Sequence, residues 1–391
     1  MGRDLRLGVL MPSGTLHRIL RRRPAYEKVR LYAWAARRLG VDLVFFAPHG
    51  VDRQGRIIRG YYLQGGRWRR WLGPLPRVIH NRIVGGSART RRLLRALARR
   101  RDTLLFNPPL SRDKWRIWRW LAEDPVLRRH LPATWPLTRR RCRRAPSLAR
   151  TGIIAKPRVG AVGYGVIYIR PVGRRYRWMP DRGPVQIVGR GELRQRLEQL
   201  LGRRRRYILQ RAVPLARYRG RRFDLRVPVQ RGEGGRWNIA GIAVKRARRH
   251  PFLTNLGRGG RAHRPLPVLT AVFGRQKAEQ LLEGLEQLGL RVAEHLSRRH
   301  PLLADLGVDI GIDRTGRPWL IEVNVRDQRW SLLASGQRRA FRRLYYNPIA
   351  FGRHLLETRR GLETPLGSAT SPQGAVLKLD GDACCPAEAA P

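Results

Sequence analysis

The chain has 391 residues, 42% of them hydrophobic, with 11 Trp and 11 Tyr, which excludes a disordered chain and suits two or three lobes with buried cores. Lysine and arginine number 83 against 27 acidic residues, a formal net charge of +56. Three cysteines without zinc-type spacing indicate neither a disulfide framework nor a thiol enzyme, and no apolar run is long enough to span a bilayer. We therefore expect a cytoplasmic protein without a membrane partner.

The positive charge has two interpretations that the sequence leaves open. It is spread over the whole chain, and Gly and Pro are abundant too, which is typical of codon usage in a GC-rich genome. A polyanionic partner is the alternative, because such a charge attracts anions whatever its origin. We expect nucleic acid to bind only non-specifically.

The N-terminal segment alternates apolar runs with an amphipathic stretch. Leu5–Met11 and Val41–Ala47 are predicted strands, the second stopped by Pro48, and Tyr26–Leu39 between them has helical periodicity. This order predicts a small α/β domain with parallel strands. Further strands of this domain are predicted at Arg77–Ile83 and Thr103–Phe106.

Helices and strands mix in the remainder of the chain. Helices are predicted at Asp113–Leu121, Gly191–Leu201, Lys277–Leu296 and Gln337–Thr358. Strands are predicted at Ile153–Lys156, Val166–Arg170, Tyr207–Arg211, Phe223–Gln230, Trp237–Arg246, Gly307–Ile312 and Arg317–Asn324. The predicted division is an N-terminal α/β domain (1–110), a first lobe with a glycine-rich flap (111–206), a C-terminal lobe (207–358) and a disordered tail (359–391).

A glycine-rich segment follows Lys156 and contains Gly160, Gly163 and Gly165. Glycines let backbone N–H groups approach phosphate oxygens, and a lysine adds a mobile charge. The stretch that follows is β-like, which excludes a dinucleotide-binding loop, and no Gly-Lys-Ser/Thr is present for a P-loop. The segment is either a hairpin flap over phosphates or a flexible surface hairpin.

Three oxygen donors lie in the predicted hairpin near the end of the chain. Asp309 is on its first strand, and Glu322 and Asn324 are on its second. Side chains two apart on a strand share a face, and Mg²⁺ takes oxygen ligands. The sequence therefore predicts a magnesium site here, with a solvent face carrying ordinary charges as the alternative.

The register of this hairpin decides whether the carboxylates meet. With an even number of loop residues, Asp309 lies opposite Leu320 and diagonal to Glu322, within reach of a shared ion. A three-residue loop would turn Asp309 to the wrong face. By the alternation of side chains along the second strand, Trp319, Ile321 and Val323 take the core face.

Polar residues between the flap and the hairpin also form a pattern. Gln210 and Arg211 end one strand, and Asp224 and Arg226 share a face of the next. An ordinary ion pair explains the last two equally well. Lys245, Thr254 and Asn255 follow.

The order of these motifs resembles that of the ATP-grasp superfamily, and most of all that of its RimK-like glutamate ligases. Finer features resemble the YheC/YheD family of endospore coat-associated proteins over residues 5 to 355. They are Asn107-Pro108 before Lys114-Trp115, Leu131–Thr134, Phe223–Gln230 followed by Trp237, and Trp319–Asn324.

The resemblance implies an ATP-grasp fold of the α/β class with an N-terminal pre-grasp domain, and ATP and Mg²⁺ as ligands. Arg226 and Lys245 would be catalytic and line the γ-phosphate region. Asp309, Glu322 and Asn324 would hold Mg²⁺. The residues that would bind ATP are Lys114, Lys156, Gly160, Gly163, Gly165, Gln210, Arg211, Asp224, Thr254 and Asn255.

The implied activity is an ATP-dependent carboxylate–amine ligase that acts through an acyl-phosphate on an anionic acceptor. Spore-coat proteins would be partners, and the location would be the cytoplasm or the spore coat. Many ATP-grasp ligases continue after Glu-x-Asn with a small residue, Pro and Gly, but this chain has Val325-Arg326-Asp327-Gln328. That departure leaves the acceptor chemistry open. The alternatives are a non-catalytic structural coat protein on the same scaffold and a basic nucleic-acid-binding protein.

Overall fold

The computed structural model describes residues 5–160, 163–202, 206–247, 254 and 256–363, with the backbone alone for Arg258 and 359–363. Two sheets of six strands and one of seven carry the fold, with helices between them, so the predicted α/β class is confirmed. Asn255 and most of the predicted tail, 364–391, lie outside the described residues. None of the helices in the described ranges has the length and apolar character needed to cross a membrane.

The N-terminal sheet has the order β4-β3-β2-β1-β5-β6, and β2, β1, β5 and β6 are parallel as predicted. Its elements are β1 (Arg6–Leu10), α1 (Ser13–Leu20), α2 (Val29–Leu39), β2 (Asp42–Val51), β3 (Ile57–Gln64), β4 (Arg67–Pro74), β5 (Val78–Asn81), α3 (Ala88–Arg99) and β6 (Leu104–Phe106). The prediction that Pro48 stops the second strand is wrong. The ladder to β3 shifts between Phe46 and Val51, so Pro48 lies where its missing N–H is not needed.

The second sheet has the order β11-β10-β9-β8-β12-β7 and is antiparallel throughout. Its strands are β7 (Thr134–Pro136), β8 (Ile153–Pro157), β9 (Ile167–Val172), β10 (Arg175–Pro180), β11 (Gln186–Val188) and β12 (Tyr207–Arg211). The helices of this part of the chain are α4 (Lys114–Leu121), α5 (Pro125–Arg129), α6 (Arg139–Leu148) and α7 (Arg190–Leu201). The apolar faces of α6 and α7 pack on this sheet.

The third sheet has the order β17-β16-β14-β18-β19, with β13 and β15 also paired to β14. Its strands are β13 (Arg217–Tyr218), β14 (Arg221–Arg231), β15 (Trp237–Ile239), β16 (Ala243–Arg246), β17 (Arg261–His263), β18 (Asp305–Ile312) and β19 (Pro318–Asn324). The helices are α8 (Pro265–Phe273), α9 (Arg275–Arg299), α10 (Trp330–Ala334) and α11 (Arg338–Glu363). The single strand predicted at Trp237–Arg246 is two strands, because the chain turns at Gly241, where a Cβ would lie 3.0 Å from Ala340 Cβ.

Three segments pack with a part of the structure other than the one to which the predicted division assigns them. Strand β12, assigned to the C-terminal lobe, lies between β8 and β7 in the second sheet. Helices α4 and α5, assigned to the first lobe, bury Ile117, Leu121 and Leu127 in the core of the third sheet. Helix α11 packs against α2 and β1 of the N-terminal domain and continues into the predicted tail as far as Glu363.

Candidate functional site

A cavity of about 390 Å³ lies between the second and third sheets. Thirteen of the fifteen site residues predicted from the sequence line it. They are Lys114, Lys156, Gly160, Gly163, Gln210, Arg211, Asp224, Arg226, Lys245, Thr254, Asp309, Glu322 and Asn324. Residues far apart in sequence are thus brought to one space, which favours a common ligand.

A row of five charged side chains, two cations and three carboxylates, crosses four strands of the third sheet. Lys245 on β16 lies opposite Asp224 on β14, and Arg226 lies opposite Asp309 on β18. Glu322 on β19 lies opposite Asp309 in turn. Opposed residues, and residues two apart on one strand, share a face, so the five side chains point the same way.

The contacts within this row are short. Lys245 Nζ is 2.6 Å from Asp309 Oδ1 and 3.2 Å from Asp224 Oδ1, and Arg226 Nε is 3.1 Å from Asp309 Oδ1. Thr254 Oγ1 donates to Asp224 Oδ2 at 2.7 Å. Burial raises the pKa of Asp224. Burial acts in the same direction on Asp309, but Arg226 and Lys245 hold its pKa below the ordinary value, so Asp309 is a carboxylate at neutral pH.

The hairpin of β18 and β19 has a different register from the predicted one. Ile310 pairs with Leu320, and beyond a bulge Asp309 pairs with Glu322. The prediction that Asp309 lies opposite Leu320 is therefore wrong, although its consequence, that the two carboxylates meet, holds more directly than expected. The extra residue is Ile321, which lines the cavity, whereas Leu320 is buried in the core.

The loop length explains this correction. Ile312 pairs with Pro318, so the loop is 313–317 and has an odd number of residues. An uninterrupted ladder would place Ile321 opposite Asp309, and the bulge brings Glu322 there instead. The prediction that Trp319 takes the core face is also wrong, because its Nε1 donates to Asp313 Oδ2 at 2.9 Å.

Asp309, Glu322 and Asn324 are the residues that could hold a cation. Asn324 Nδ2 donates to Asp309 Oδ2 at 3.1 Å, which brings the amide beside the two opposed carboxylates. Within the described ranges, no three His, Cys, Asp or Glu side chains come together as a metal cluster. Two carboxylates and an amide oxygen nevertheless suit a hard cation that completes its shell with water and phosphate oxygens.

Lys156 lies on the opposite wall, on β8 of the second sheet. Its Nζ donates to Gln210 Oε1 at 2.6 Å, and Gln210 Nε2 donates to Thr134 Oγ1 at 3.0 Å. This chain fixes the direction of the lysine, and burial lowers its pKa to about 8. An ammonium so poor in anionic contacts favours a negatively charged ligand.

Lys114 connects the flap to the row of charges. It begins α4, and its Nζ donates to the carbonyl of Gly160 at 2.9 Å and lies 3.3 Å from Glu322 Oε1. Arg158 Nε donates to both carboxylate oxygens of Asp113, at 3.0 and 2.9 Å, which ties the base of the flap to the N-terminus of α4. Flap, helix and third sheet therefore meet at one edge of the cavity.

Gly165 does not line the cavity. Its φ is +74°, and a Cβ there would lie 3.0 Å from Pro157 Cγ and 3.1 Å from the hydroxyl oxygen of Tyr207. Its backbone N–H donates to Asp181 Oδ1 at 3.0 Å. This glycine allows the turn that returns the flap to the sheet, because an L side chain would be strained there.

The loop after Asn324 holds residues that the sequence reasoning did not assign. Arg326 Nε donates to the carbonyl of Asn81 at 3.0 Å, and its NH2 group donates to the carbonyls of Asn107 and Pro108. Asp327 is 1% exposed and lines the cavity, and burial raises its pKa to about 6. The departure from Pro-Gly at this place in the chain was the signal that could have found them.

A buried ion network joins this loop to the N-terminal domain. Arg82 Nε is 2.8 Å from Glu27 Oε1, and its NH1 is 2.5 Å from Asp305 Oδ2. Arg329 NH1 is 3.0 Å from Glu27 Oε2 and donates to the Tyr32 hydroxyl at 2.8 Å. All these side chains are buried, so the network fixes the loop against the N-terminal part of the chain.

Comparison with protein families gives a match over residues 102–355 to the model described as YheC/D like ATP-grasp. The chain belongs to the YheC/D-like ATP-grasp family. This ATP-grasp chain is 23% identical over 305 residues to the endospore coat-associated protein YheC of Bacillus subtilis, which covers 75% of the chain and 83% of YheC. It is also 23% identical over 303 residues to YheD of the same organism, covering 73% of the chain and 64% of YheD, less than two thirds.

Solved structures show the same fold. The chain superimposes on the D-alanyl-alanine synthetase A of Vibrio cholerae with a TM-score of 0.51 at 14% identity, covering 93% of the chain and 100% of that protein. It superimposes on the C-terminal domain of K. lactis Pby1, described as an ATP-grasp enzyme, with a TM-score of 0.52 at 10% identity, covering 90% and 94%. The expected ATP-grasp fold is confirmed.

Proposed function

We propose that this ATP-grasp protein binds ATP with Mg²⁺ in the first cavity and acts as an ATP-dependent carboxylate–amine ligase. The observation that carries the proposal is the row of charged residues Lys245, Asp224, Arg226, Asp309 and Glu322 on one wall of the cavity. Buried cations and carboxylates at such density are costly without a charged ligand. A nucleoside triphosphate with a divalent cation satisfies both kinds of group, because its phosphates pair with the cationic side chains and its metal ion pairs with the carboxylates.

The chain's own lysines would bind the phosphates. Lys156 is directed by Gln210, and its pKa of about 8, lowered by burial, would rise again when a phosphate oxygen approaches the ammonium. Lys114, which already contacts the flap at Gly160, would hold the flap over the phosphates. Gly160 and Gly163, which line the cavity, would let the backbone approach the phosphates without side-chain crowding.

The magnesium ligands would be Asp309, Glu322 and Asn324. When bound, the ion neutralises charge on the phosphate oxygens and makes the γ-phosphorus a better electrophile. Lys114, now 3.3 Å from Glu322, would turn from that carboxylate to a phosphate. Lys245 and Arg226 then hold Asp309 ionised and in place.

The reaction has two steps in which atoms balance. A substrate carboxylate oxygen attacks the γ-phosphorus of ATP, the bond to the β-phosphate oxygen breaks, and ADP leaves an acyl-phosphate. An amine nitrogen then attacks the acyl carbon, the carbon–oxygen bond to phosphate breaks, and the amide, inorganic phosphate and a proton are the products. Arg226 and Lys245 would stabilise the charge that develops on the transferred group.

Calorimetric titration with a non-hydrolysable ATP analogue, with and without Mg²⁺, tests the proposal. High salt suppresses non-specific binding of anions to so basic a protein. We expect saturable binding that Mg²⁺ strengthens. Lys156→Met should weaken binding roughly tenfold or more, by loss of a charge-assisted hydrogen bond. Glu322→Gln should remove most of the strengthening by Mg²⁺.

Glu294→Gln is the matched control, because Glu294 is exposed on α9 and its loss changes the net charge as Glu322→Gln does. It should bind as the wild type does. Absence of saturable binding by the wild type would refute the proposed function. Equal effects of the Glu322 and Glu294 variants would refute the assignment of the metal ligands.

A structural role in the spore coat is a second candidate. The names of the relatives YheC and YheD support coat association, and the internal pairing of cavity charges, such as Lys245 with Asp309, supports a scaffold that is stable without turnover. A fluorescent fusion in a sporulating cell tests the location. Nucleotide binding with no ADP release on any carboxylate and amine, together with coat localisation, would favour this candidate over the ligase.

A further inference from the structure

A second cavity, of about 260 Å³, adjoins the first. The two cavities share a wall formed by Lys114, Gly160, Glu322, Asn324, Asp327 and Gln328. The opposite wall belongs to the N-terminal domain and includes Pro12, Thr15 and Tyr26. A ligand in the second cavity would therefore lie next to the residues proposed to hold the magnesium and the γ-phosphate.

Most charged groups around the second cavity are already satisfied. Glu27 accepts from Arg82 at 2.8 Å and from Arg329 at 3.0 Å, and the Tyr32 hydroxyl lies 3.3 Å from it. Arg82 also contacts Asp305. These groups form a fixed wall and have little capacity left for a ligand.

Asp327 differs from them. Its Oδ2 accepts from the backbone N–H of Arg329 at 2.9 Å. Its Oδ1 has no hydrogen-bond partner among the described residues, and Arg226 NH1 lies 3.7 Å away. A buried carboxylate oxygen without a donor is unfavourable by about 1–3 kcal/mol. An N–H group of a ligand is the kind of partner that removes this penalty.

A cation lies on the lining of the same cavity. Arg112 is only partly buried, and no carboxylate of the described residues is within ion-pair distance of it. A guanidinium in that situation binds a carboxylate through paired N–H groups. The cavity thus offers a free acceptor at Asp327 and a free cation at Arg112.

We infer that the second cavity binds an α-amino acid as the amine substrate, with its amine at Asp327 and its carboxylate toward Arg112. This inference rests on the proposed ligase function and names the acceptor class for it. The amine then lies at the wall shared with the first cavity, near Lys114 and Asn324, where an acyl-phosphate would form. Asp327 occupies the segment that departs from the usual small residue, Pro and Gly, so this contact belongs to this chain's own loop.

Differential calorimetry on the full chain tests the inference. Protein saturated with the non-hydrolysable ATP analogue and Mg²⁺ is titrated with a panel of α-amino acids and with the matched acids that lack the amine, for example alanine against propionate. We expect at least one amino acid to bind, and its amine-free analogue to bind roughly tenfold or more weakly. Asp327→Asn should weaken amino-acid binding by a similar factor. Arg112 lines the second cavity and not the first, so Arg112→Gln should leave the affinity for the nucleotide analogue within about twofold.

Arg112→Gln should weaken binding of amino acids but not of amines without a carboxylate, and Glu294→Gln should change neither. Equal binding of alanine-type and propionate-type ligands by the wild type would overturn the inference even if Asp327→Asn does not fold. Failure of every amino acid to bind nucleotide-loaded protein would also overturn it, while nucleotide binding and the proposed function stand. Failure of nucleotide binding itself would refute both.

Discussion

Substituting Gly307 by alanine tests how closely Arg226 is positioned. Gly307 lies on β18, and a Cβ there would be 2.1 Å from NH1 of Arg226 and 2.8 Å from Oδ1 of Asp327. Since carbon–nitrogen contacts are favourable only near ~3.5 Å, the guanidinium must move by roughly 1.4 Å. Arg226 Nε is now 3.1 Å from Asp309, so a shift of that size breaks the ion pair.

The expected result separates positioning from folding. Overpacking should lower the free energy of unfolding by about 1–3 kcal/mol, which leaves the fold intact because the clash is with the end of a flexible side chain. A charge-assisted contact from Arg226 to the γ-phosphate contributes about 1.5–3 kcal/mol, so its loss weakens binding of an ATP analogue roughly ten- to a hundredfold. Affinity for ADP, which lacks that phosphate, should change by less than about threefold.

Paired calorimetric titrations with the ATP analogue and ADP measure this difference, and urea unfolding measures stability. Gly284→Ala on α9 is the control, since a Cβ there meets nothing within 4 Å and alanine in a helix should stabilise by about 1 kcal/mol. Wild-type affinity for both nucleotides in Gly307→Ala would refute the placement of Arg226 at the γ-phosphate. Equal losses for both nucleotides would indicate a general distortion instead.

Three further predictions concern buried ionisable groups. Burial lowers the pKa of Lys156 to about 8, and phosphate binding needs the ammonium, so the affinity for the ATP analogue should fall as the pH rises through that value. Lys156→Met should bind the analogue weakly, with an affinity that does not change between pH 7 and 9. A wild-type affinity that does not change over this range would contradict the prediction. Glu27→Gln should lower the free energy of unfolding in urea by about 3–5 kcal/mol, since it leaves two buried guanidiniums with one carboxylate fewer, whereas Glu294→Gln should change it by less than about 0.5 kcal/mol. Burial opposes the ionisation of Glu27, but Arg82 and Arg329 hold its pKa below the ordinary value. The stabilisation by this carboxylate is therefore complete above the ordinary carboxylate pKa and is lost as the pH falls through the lowered pKa. A decrease of less than about 1 kcal/mol in the unfolding free energy of Glu27→Gln would contradict the prediction. Burial raises the pKa of the Cys142 thiol to about 11. With Cys384 and Cys385 replaced by serine, a thiol reagent at pH 8 should therefore label the chain only after denaturation. Rapid labelling of native protein would show that the Cys142 thiol is not buried.

Local patterns made much of the fold and site predictable from the sequence. Strands such as Tyr207–Arg211 and the long helix α9 have periodicities that neighbouring residues alone determine. Asp309, Glu322 and Asn324 were found together because their spacing on adjacent strands is also local information. The cavity is lined by residues from two sheets. The sequence alone could group these residues into one site only through the family resemblance.

What could not be predicted depends on distant contacts. The bulge at Ile321 is set by a five-residue loop and by the packing of Leu320, neither of which the alternation of apolar residues reveals. Assignment of β12 to the second sheet depends on its pairing with β8, more than fifty residues earlier, at positions such as Ile208 and Lys156. The partners of Arg326 lie on loops some two hundred residues away, such as the one at Asn107.

The packing of α11 against the N-terminal sheet has a consequence for how the chain acquires its structure. A Cβ at Gly352 would lie 2.6 Å from Leu7 Cδ2, and Tyr345 and Phe351 belong to the same core as β1 and α2. The first sheet therefore keeps an uncovered apolar face during synthesis until the ribosome has released a helix some three hundred residues later, and the partner of Glu27 at Arg329 arrives equally late. Such long sequence separations slow folding and prolong exposure of apolar surface. We expect the nascent chain to depend on chaperones, and an isolated fragment of residues 1–110 to aggregate.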